Sequence, residues 1–438
     1  MKLTQIKDAI NAGTYDKAFS ALYGKSFDKE SVYKRYCGAI AGFEENYREF
    51  ISPETEIKLF SVPGRSEISG NHTDHNHGKV VAAGISLDII AVAAKTQEAQ
   101  IRIKSEGFPE DTVNTDTCQT VVGEEKYKAS AIIRGMCDGF LKNGFGIGGF
   151  YAYTTSNVLK GSGLSSSAAF EVMVGNLLNH FYNDGNIDNV EIAKLAQYAE
   201  NVHFGKPCGL MDQIACAVGS FVAIDFENTK EPKVEKLDFD LSRFGYSLCI
   251  VNTGGNHADL NEDYASVPYE MKSVARYFGK EVLRDVTKEE IIANIPVIRK
   301  ACGDRAIMRA LHFCNENERA QKVKEALIAG DLQSFLSQIK KSGLSSSILL
   351  QNTYTIKNIQ EQGISLALAV ASQILDTKKG TSYRVHGGGF AGTIQAFMPK
   401  DCVQEFKSVM ESVFGNGSVY VLTVRPYGAV CLDRLLGE

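Results

Sequence analysis

Three short stretches hold residues whose types and spacing could do chemistry, and a fourth adds one carboxylate. In PGRSEISGNHTDHNHG, Arg65, His72, Asp74, His75 and His77 fall within thirteen residues, a polar density that is costly to bury without a purpose. Three histidines with Asp74 would suit a metal. However, no carboxylate–histidine motif on a helix supports that reading. The favoured chemistry is recognition of a ring of hydroxyls, for which carboxylate, imidazole and amide groups on one loop supply mixed donors and acceptors. In KGSGLSSSAA, Gly161, Gly163, Ser165, Ser166 and Ser167 stand where a strand gives way to a helix. Unhindered N–H groups and hydroxyls bind phosphate there, although a serine-capped helix after a turn has the same composition. HGGGFAG sets Gly387, Gly388, Gly389 and Gly392 in a strand-to-loop turn that needs positive φ or close approach, to a ligand or to itself. PCGLMDQ carries Asp212, which alone reads as a cap or turn residue.

Two other glycine patterns are decoys. Gly24 to Ser26 lacks the first glycine of a Walker A loop, with Phe19 in its place, and Gly144, Gly146 and Gly149 precede a strand instead of opening a helix. SGLSSS occurs twice, at 162–167 and 342–347. Only the first copy has strand and helix flanks, so the second reads as a connecting segment with no assigned role.

The elements that must position these loops follow from periodicity. Residues 1–48 read as a helical extension, with Val32, Tyr36, Ile40 and Phe43 at helical spacing and no chemical motif. It serves either as a regulatory or dimerising surface or as simple packing. From Ile57 the pattern turns to short apolar strands, and the longest apolar run, from Val80 to Ala94, is broken by Ser86 and Asp88. A helix is expected from Ala129 to Lys142, a strand at FYAYTT, a helix at FEVMVGNLLNHF and another before PCGLMDQ. The chain then divides near residue 232, giving domains at 49–232 and 233–438, and the mixture of hairpins and packed helices predicts an α+β fold. Since three loops each fall at a strand end, their convergence on one cleft is more economical than three unrelated turns.

Composition bounds the function classes. A chain of 438 residues supports two main domains, and 44% apolar with 23% charged residues is ordinary for a globular protein. A formal charge of −5 with no basic cluster argues against nucleic acid as a partner. No segment reads as a signal peptide or membrane span, and ten scattered cysteines read as reduced thiols, so a cytoplasmic setting without disulfides is expected.

The three motifs, in this order and at these separations, resemble those of the GHMP small-molecule kinases. Gly64, Arg65, Gly70, His72, Thr73, Asp74 and Asn76 further resemble the first motif of the galactokinases, and PCGLMDQ resembles their segment with the catalytic Asp. The resemblance runs from about Ile57 to the C-terminus. It implies a two-domain GHMP fold with the cleft between domains, and ATP-dependent phosphorylation of galactose at its C1 hydroxyl, with Mg2+. It implies that Asp212 and Arg65 flank that hydroxyl, while Asn71, His72, Asp74, Gly209 and Tyr264 hold the sugar. Gly161, Ser162, Gly163, Leu164, Ser165, Ser166, Ser167 and Ala168 would cradle the triphosphate, Ser165 and Glu200 would hold the metal, and Gly387, Gly388 and Gly389 would line the cleft floor. The partners are then a small sugar and ATP, with a monomer or weak homo-oligomer expected.

Departures from the family pattern carry their own implications. Asn71 replaces the Glu that meets the sugar's C6 hydroxyl, which brings in C6-modified sugars such as galacturonate, or N-acetylgalactosamine or arabinose, as alternatives. His75 and His77 replace Tyr and Gly, Leu159 replaces Pro, and Ala391 replaces Gly. With no tryptophan in the chain, any aromatic shelf for adenine comes from Tyr or Phe. A catalytically silent sugar sensor is the alternative of another class, and the intact serine loop argues against it.

Overall fold

The computed structural model describes residues 1–25, 27–158, 163–255 and 260–437. Helices Leu3–Asn11, Asp16–Tyr23 and Lys29–Tyr47 form a cap at the start of the chain. A long antiparallel hairpin follows, β1 (Lys58–Ser69) with β2 (Lys79–Lys95). Next come β3 (Gln100–Ser105), β4 (Glu110–Asn114), β5 (Phe150–Ser156), β6 (Phe221–Asp225) and β7 (Lys233–Leu237). β8 (Tyr246–Asn252), β9 (Ser382–His386), β10 (Thr393–Pro399) and β11 (Val419–Leu422) make a second, antiparallel sheet in the order β11–β8–β10–β9. β12 (Val430–Cys431) returns to the first sheet, whose order is β12–β1–β2–β5–β3–β4, with β6 and β7 joined through β2. The fold is α+β, as the pattern predicts. β7 lies past the expected division at 232, so the first sheet extends to Leu237 and the end of the chain comes back to it.

The hairpin is apolar on both faces because both are covered. Leu59, Ile90 and Val92 pack with Phe19, Ile40 and Phe43 of the cap. Phe60, Ala91 and Ala93, one residue out of phase, pack with Val172, Leu177 and Ile192 on the far side, as the two-residue strand period requires.

β2 also forks the first sheet. Its residues 79–83 pair with β6 and its residues 89–95 with β5. Between them the register along β1 jumps from Pro63 opposite Asp88 to Arg65 opposite Gly84, so residues 85–87 bulge. β5 ends at Ser156 beside this fork and leads to the serine-rich loop. The second sheet is backed on one face by helices Gly363–Leu375 and Val403–Phe414. It is pinned to β1 by Arg384, which donates to Ile68 O (2.9 Å) and Glu67 Oε1 (3.1 Å), and by Gln395, which donates to Glu67 O (2.8 Å). No described helix is long and apolar enough to cross a membrane.

Candidate active site

Arg65 on β1 and Asp212, in the first turn of the helix Met211–Val218, form a two-pronged ion pair: Nε and Nη2 each donate to a different carboxylate oxygen at 2.7 Å. Such a fork fixes direction as well as distance. The third guanidinium nitrogen donates to Gly163 O, and Arg65 N donates to Leu164 O at 3.1 Å, so the same residue ties β1 to the serine-rich loop. Gly64 must lack a side chain for this approach, since a Cβ there would lie 2.8 Å from Leu164 O. Ser165 holds a left-handed backbone and donates its hydroxyl to Asp212. It makes no capping bond to the helix Ser166–Tyr182, so the N–H groups of that first turn stay available to an anion. Burial pushes the Asp212 pKa up, but the guanidinium and the Ser165 hydroxyl more than offset it, leaving the carboxyl below its ordinary value.

The sugar-loop residues meet the same place. A Cβ on Gly209 would sit 2.7 Å from Asp74 Oδ2, so a larger residue there would displace the Asp74 carboxylate. Burial raises the Asp74 pKa, opposed by the charge of His72. His72 Nε2 donates to Gly388 O at 2.8 Å and the Tyr264 hydroxyl donates to Gly389 O at 3.0 Å. Gly388 and Gly389 therefore serve as carbonyl acceptors, one for the sugar loop and one for Tyr264, as well as forming a turn. Gly388 and Gly389 also allow contact, since their Cβ atoms would fall 2.6 Å from Tyr264 and 2.1 Å from Asn352 O. A metal role for the histidines finds no support: among the described residues no three His, Cys, Asp or Glu cluster to hold an ion.

Two sequence expectations are corrected here. Asn71 is fully buried with its amide engaged by the protein. Its Nδ2 donates to Glu67 Oε1 (2.9 Å) and Gly387 O (2.8 Å), and its Oδ1 accepts from Asn352 (2.9 Å) and Ser346 (3.2 Å). No donor or acceptor of that amide remains for a sugar. Nor is the second SGLSSS a mere connector. It completes the helix Leu332–Ser345 and its π-helical continuation Ser346–Leu350. Ser342 donates to Glu316 (2.6 Å), Ser345 bonds His312 (2.9 Å) and Ser346 bonds Asn71, bracing the sugar loop from behind. Asn71→Glu is thus expected to set a second buried carboxylate against Glu67 and cost stability, by about 3 kcal/mol in denaturant unfolding, without shifting preference at C6.

A cavity of about 940 Å³ lies beside the serine-rich loop, lined by Phe108, Tyr127, Phe170 and Phe204 among others. It adjoins a polar cleft of about 120 Å³ that holds Asp74, Gly209 and Asp212. Ser167 and Glu200 line both. A π-helical turn, Ala199–Phe204, delivers Glu200 and Phe204 to these walls, a widening of the helix common at functional sites. Phe204 meets Tyr127 edge to face at 5.6 Å.

Glu171 and Gln213 were missed by sequence reasoning. Gln213 Nε2 donates to both Glu171 Oε2 (2.9 Å) and Glu200 Oε2 (3.0 Å). Burial, and then the charge of Glu200, push the Glu171 pKa well up. The legible signal was one acidic residue in the apolar helix FEVMVGNLL, four residues after Ser167 and so on its face. Two buried carboxylates with a hydroxyl form a hard oxygen set that suits Mg2+. Ser165, expected to share a metal with Glu200, gives its hydroxyl to Asp212 instead, and Ser167 is the serine that shares a cleft with Glu200. Gly161 and Ser162 lie outside the described residues.

The family model described as the GHMP kinases N terminal domain matches residues 131–220, and the galactokinase galactose-binding signature matches 41–95. A galactokinase of Streptomyces coelicolor is 28% identical over 86% of this chain and 93% of its own, and one of Clostridium tetani is 26% identical over 84% and 91%. The crystal structure of Lactococcus lactis galactokinase complexed with galactose superposes with a TM-score of 0.73 at 25% identity, covering 89% of this chain and 99% of that one.

Proposed function

Because this chain belongs to the galactokinase group of the GHMP kinases, we propose that its cleft transfers the terminal phosphoryl group of ATP to the C1 hydroxyl of galactose. The observation that carries this reading is the position of Asp212. Clamped by Arg65 and Ser165, it lines the small cleft together with Asp74 and Gly209, and that cleft shares Ser167 and Glu200 with the larger cavity.

The cleft residues then divide the labour. Asp74 and the Gly209 backbone receive sugar hydroxyls, the His72 Nδ1 and the lone pairs of the Tyr264 hydroxyl offer further partners while their donors stay on Gly388 O and Gly389 O, and Asp212 accepts a hydrogen bond from the C1 hydroxyl. Since its pKa is depressed, Asp212 is ionised at neutral pH yet weakly basic. It therefore orients the hydroxyl first and takes the proton as the oxygen–phosphorus bond forms and the bond to the leaving diphosphate breaks. Arg65 keeps that carboxylate charged and places a cation next to the transferred group. The N–H groups of residues 166–168 face the phosphates. Glu200, with Ser167 and Glu171, would hold Mg2+, which supplies charge neutralisation of the triphosphate when bound.

The engagement of Asn71 by the protein removes the main reason to favour a C6-modified sugar over galactose. The aromatic shelf absent as tryptophan is supplied by Tyr127, Phe170 and Phe204. Phe204→Ala is expected to raise KM for ATP about tenfold through lost base stacking, with KM for galactose unchanged. An unchanged KM for ATP would place the base elsewhere.

A further inference from the structure

The helical cap takes no part in the chemistry above, yet it is wired to the wall of the larger cavity. Asp88, fully buried in β2 where the sheet forks, is the hub. Arg35 of the cap donates from Nη1 to Asp88 Oδ1 at 2.5 Å, and from Nη2 to the carbonyls of Asp88 (2.8 Å) and Thr155 (3.4 Å). Tyr23 of the cap donates to Asp88 Oδ2 at 2.6 Å. From the opposite side come Ser61 and the buried Arg425, the latter at 3.1 Å. Burial pushes the Asp88 pKa up, and the two guanidiniums and the hydroxyls reverse the shift.

The same aspartate holds the root of the serine-rich loop. Asp88 N donates to Asn157 Oδ1 at 2.6 Å, and Asn157 N donates to Asp88 O at 3.1 Å. Asn157, with Ile89, Ser156 and Val158, lines the 940 Å³ cavity. Val158 also lies under Gly64, whose Cβ would come within 2.9 Å of it, so the same contact supports the strand position next to Arg65. Arg35 thus grips the carbonyls on either side of the point where β5 parts from β2.

Docking of the cap does not require this. Phe19, Tyr36, Ile40 and Phe43 already bury an apolar face on the sheet, and Arg425 alone gives Asp88 a buried counter-charge. A second cation that also binds two carbonyls is more than packing needs.

We propose that the cap is a positioning element for the nucleotide: Arg35, through Asp88, holds Asn157 and the root of the phosphate loop in the geometry that receives ATP, and nucleotide binding tightens the cap in return. This goes beyond the phosphoryl chemistry and rests on the reading that ATP fills the 940 Å³ cavity.

Steady-state kinetics of Arg35→Gln, in which Asp88 keeps Arg425, provide the test. KM for ATP is expected to rise about tenfold with kcat and KM for galactose within about twofold. Arg35→Lys should fall between parent and Arg35→Gln, since one ammonium cannot serve a carboxylate and two carbonyls together. Lys7→Met, which breaks the Lys7–Glu44 ion pair inside the cap, should leave KM for ATP unchanged. An Arg35→Gln enzyme with the KM of Lys7→Met overturns the proposal.

Hydrogen exchange on the parent chain gives a readout that needs no variant. Coupling is reciprocal, so ATP with Mg2+, in the absence of sugar, should slow amide exchange over residues 28–36 as well as 163–171. Slowing over 163–171 alone overturns the role of the cap and leaves the nucleotide site standing. Slowing over neither overturns the nucleotide reading, and the proposal with it.

Discussion

Asp212→Asn is expected to lower kcat about 10³-fold while KM for galactose moves less than about threefold. The amide keeps the size of the carboxylate but loses its charge and one acceptor. Its NH2 must then face a nitrogen of Arg65 whichever way the amide turns, and the Ser165 hydroxyl as well in one of the two orientations. The C1 hydroxyl loses the group that orients it and takes its proton, whereas Asp74, His72 and Tyr264 still receive the ring hydroxyls. The loss therefore belongs to the transition state and not to sugar binding. A variant with near-parent kcat, or one whose defect lies wholly in KM, would remove Asp212 from the chemistry.

Arg65→Ala is expected to cut kcat by a similar factor, about 10³-fold, since an electrostatic stabiliser is lost from a closed site, and to change its pH dependence. In the parent, Asp212 lies below the ordinary carboxylate value, so activity should persist until pH falls beneath that range. Without Arg65 the largest remaining influence is burial, which raises the pKa. The active, ionised form should then be lost at a higher pH, and raising the pH should recover part of kcat. Measuring kcat against pH in both enzymes checks the sign: an acid limb that stays put or moves down would contradict the pairing. Added guanidinium should restore some activity, because the space between Asp212 and Gly163 O is shaped for that ion.

Much of this site was legible before any coordinates. Arg65 and Asp74 stood out as polar residues of a glycine-punctuated loop between strands, Asp212 was carried only by the resemblance of PCGLMDQ, and the structure brings all three together. The alternation that sends Leu59 toward the cap and Phe60 toward the far side is a two-residue period any strand must obey. Tyr36, Ile40 and Phe43, spaced for one helix face, are buried on the sheet as that spacing predicts.

What escaped depends on approaches between distant segments. The direction of Asn71 is set by Glu67, Ser346, Asn352 and Gly387 together, and no local pattern encodes that convergence. In the sequence Asp88 was only a break in an apolar run. Its meaning comes from a bulge and from two arginines more than fifty residues away on either side. Glu171 was signalled only as the one acidic residue of an apolar helix, and Phe204 became a site residue through a π-helical turn that nothing local in the sequence marks.

The central claim, phosphoryl transfer from ATP to the anomeric oxygen of galactose, is tested most directly by galactose-dependent ADP release with phosphorus NMR of the product. Galacturonate, N-acetylgalactosamine and arabinose run as parallel substrates. Galactose should support the fastest release and give a sugar phosphate whose phosphorus couples to the anomeric proton. No galactose-stimulated ADP, or phosphate carried on any other carbon, would contradict it.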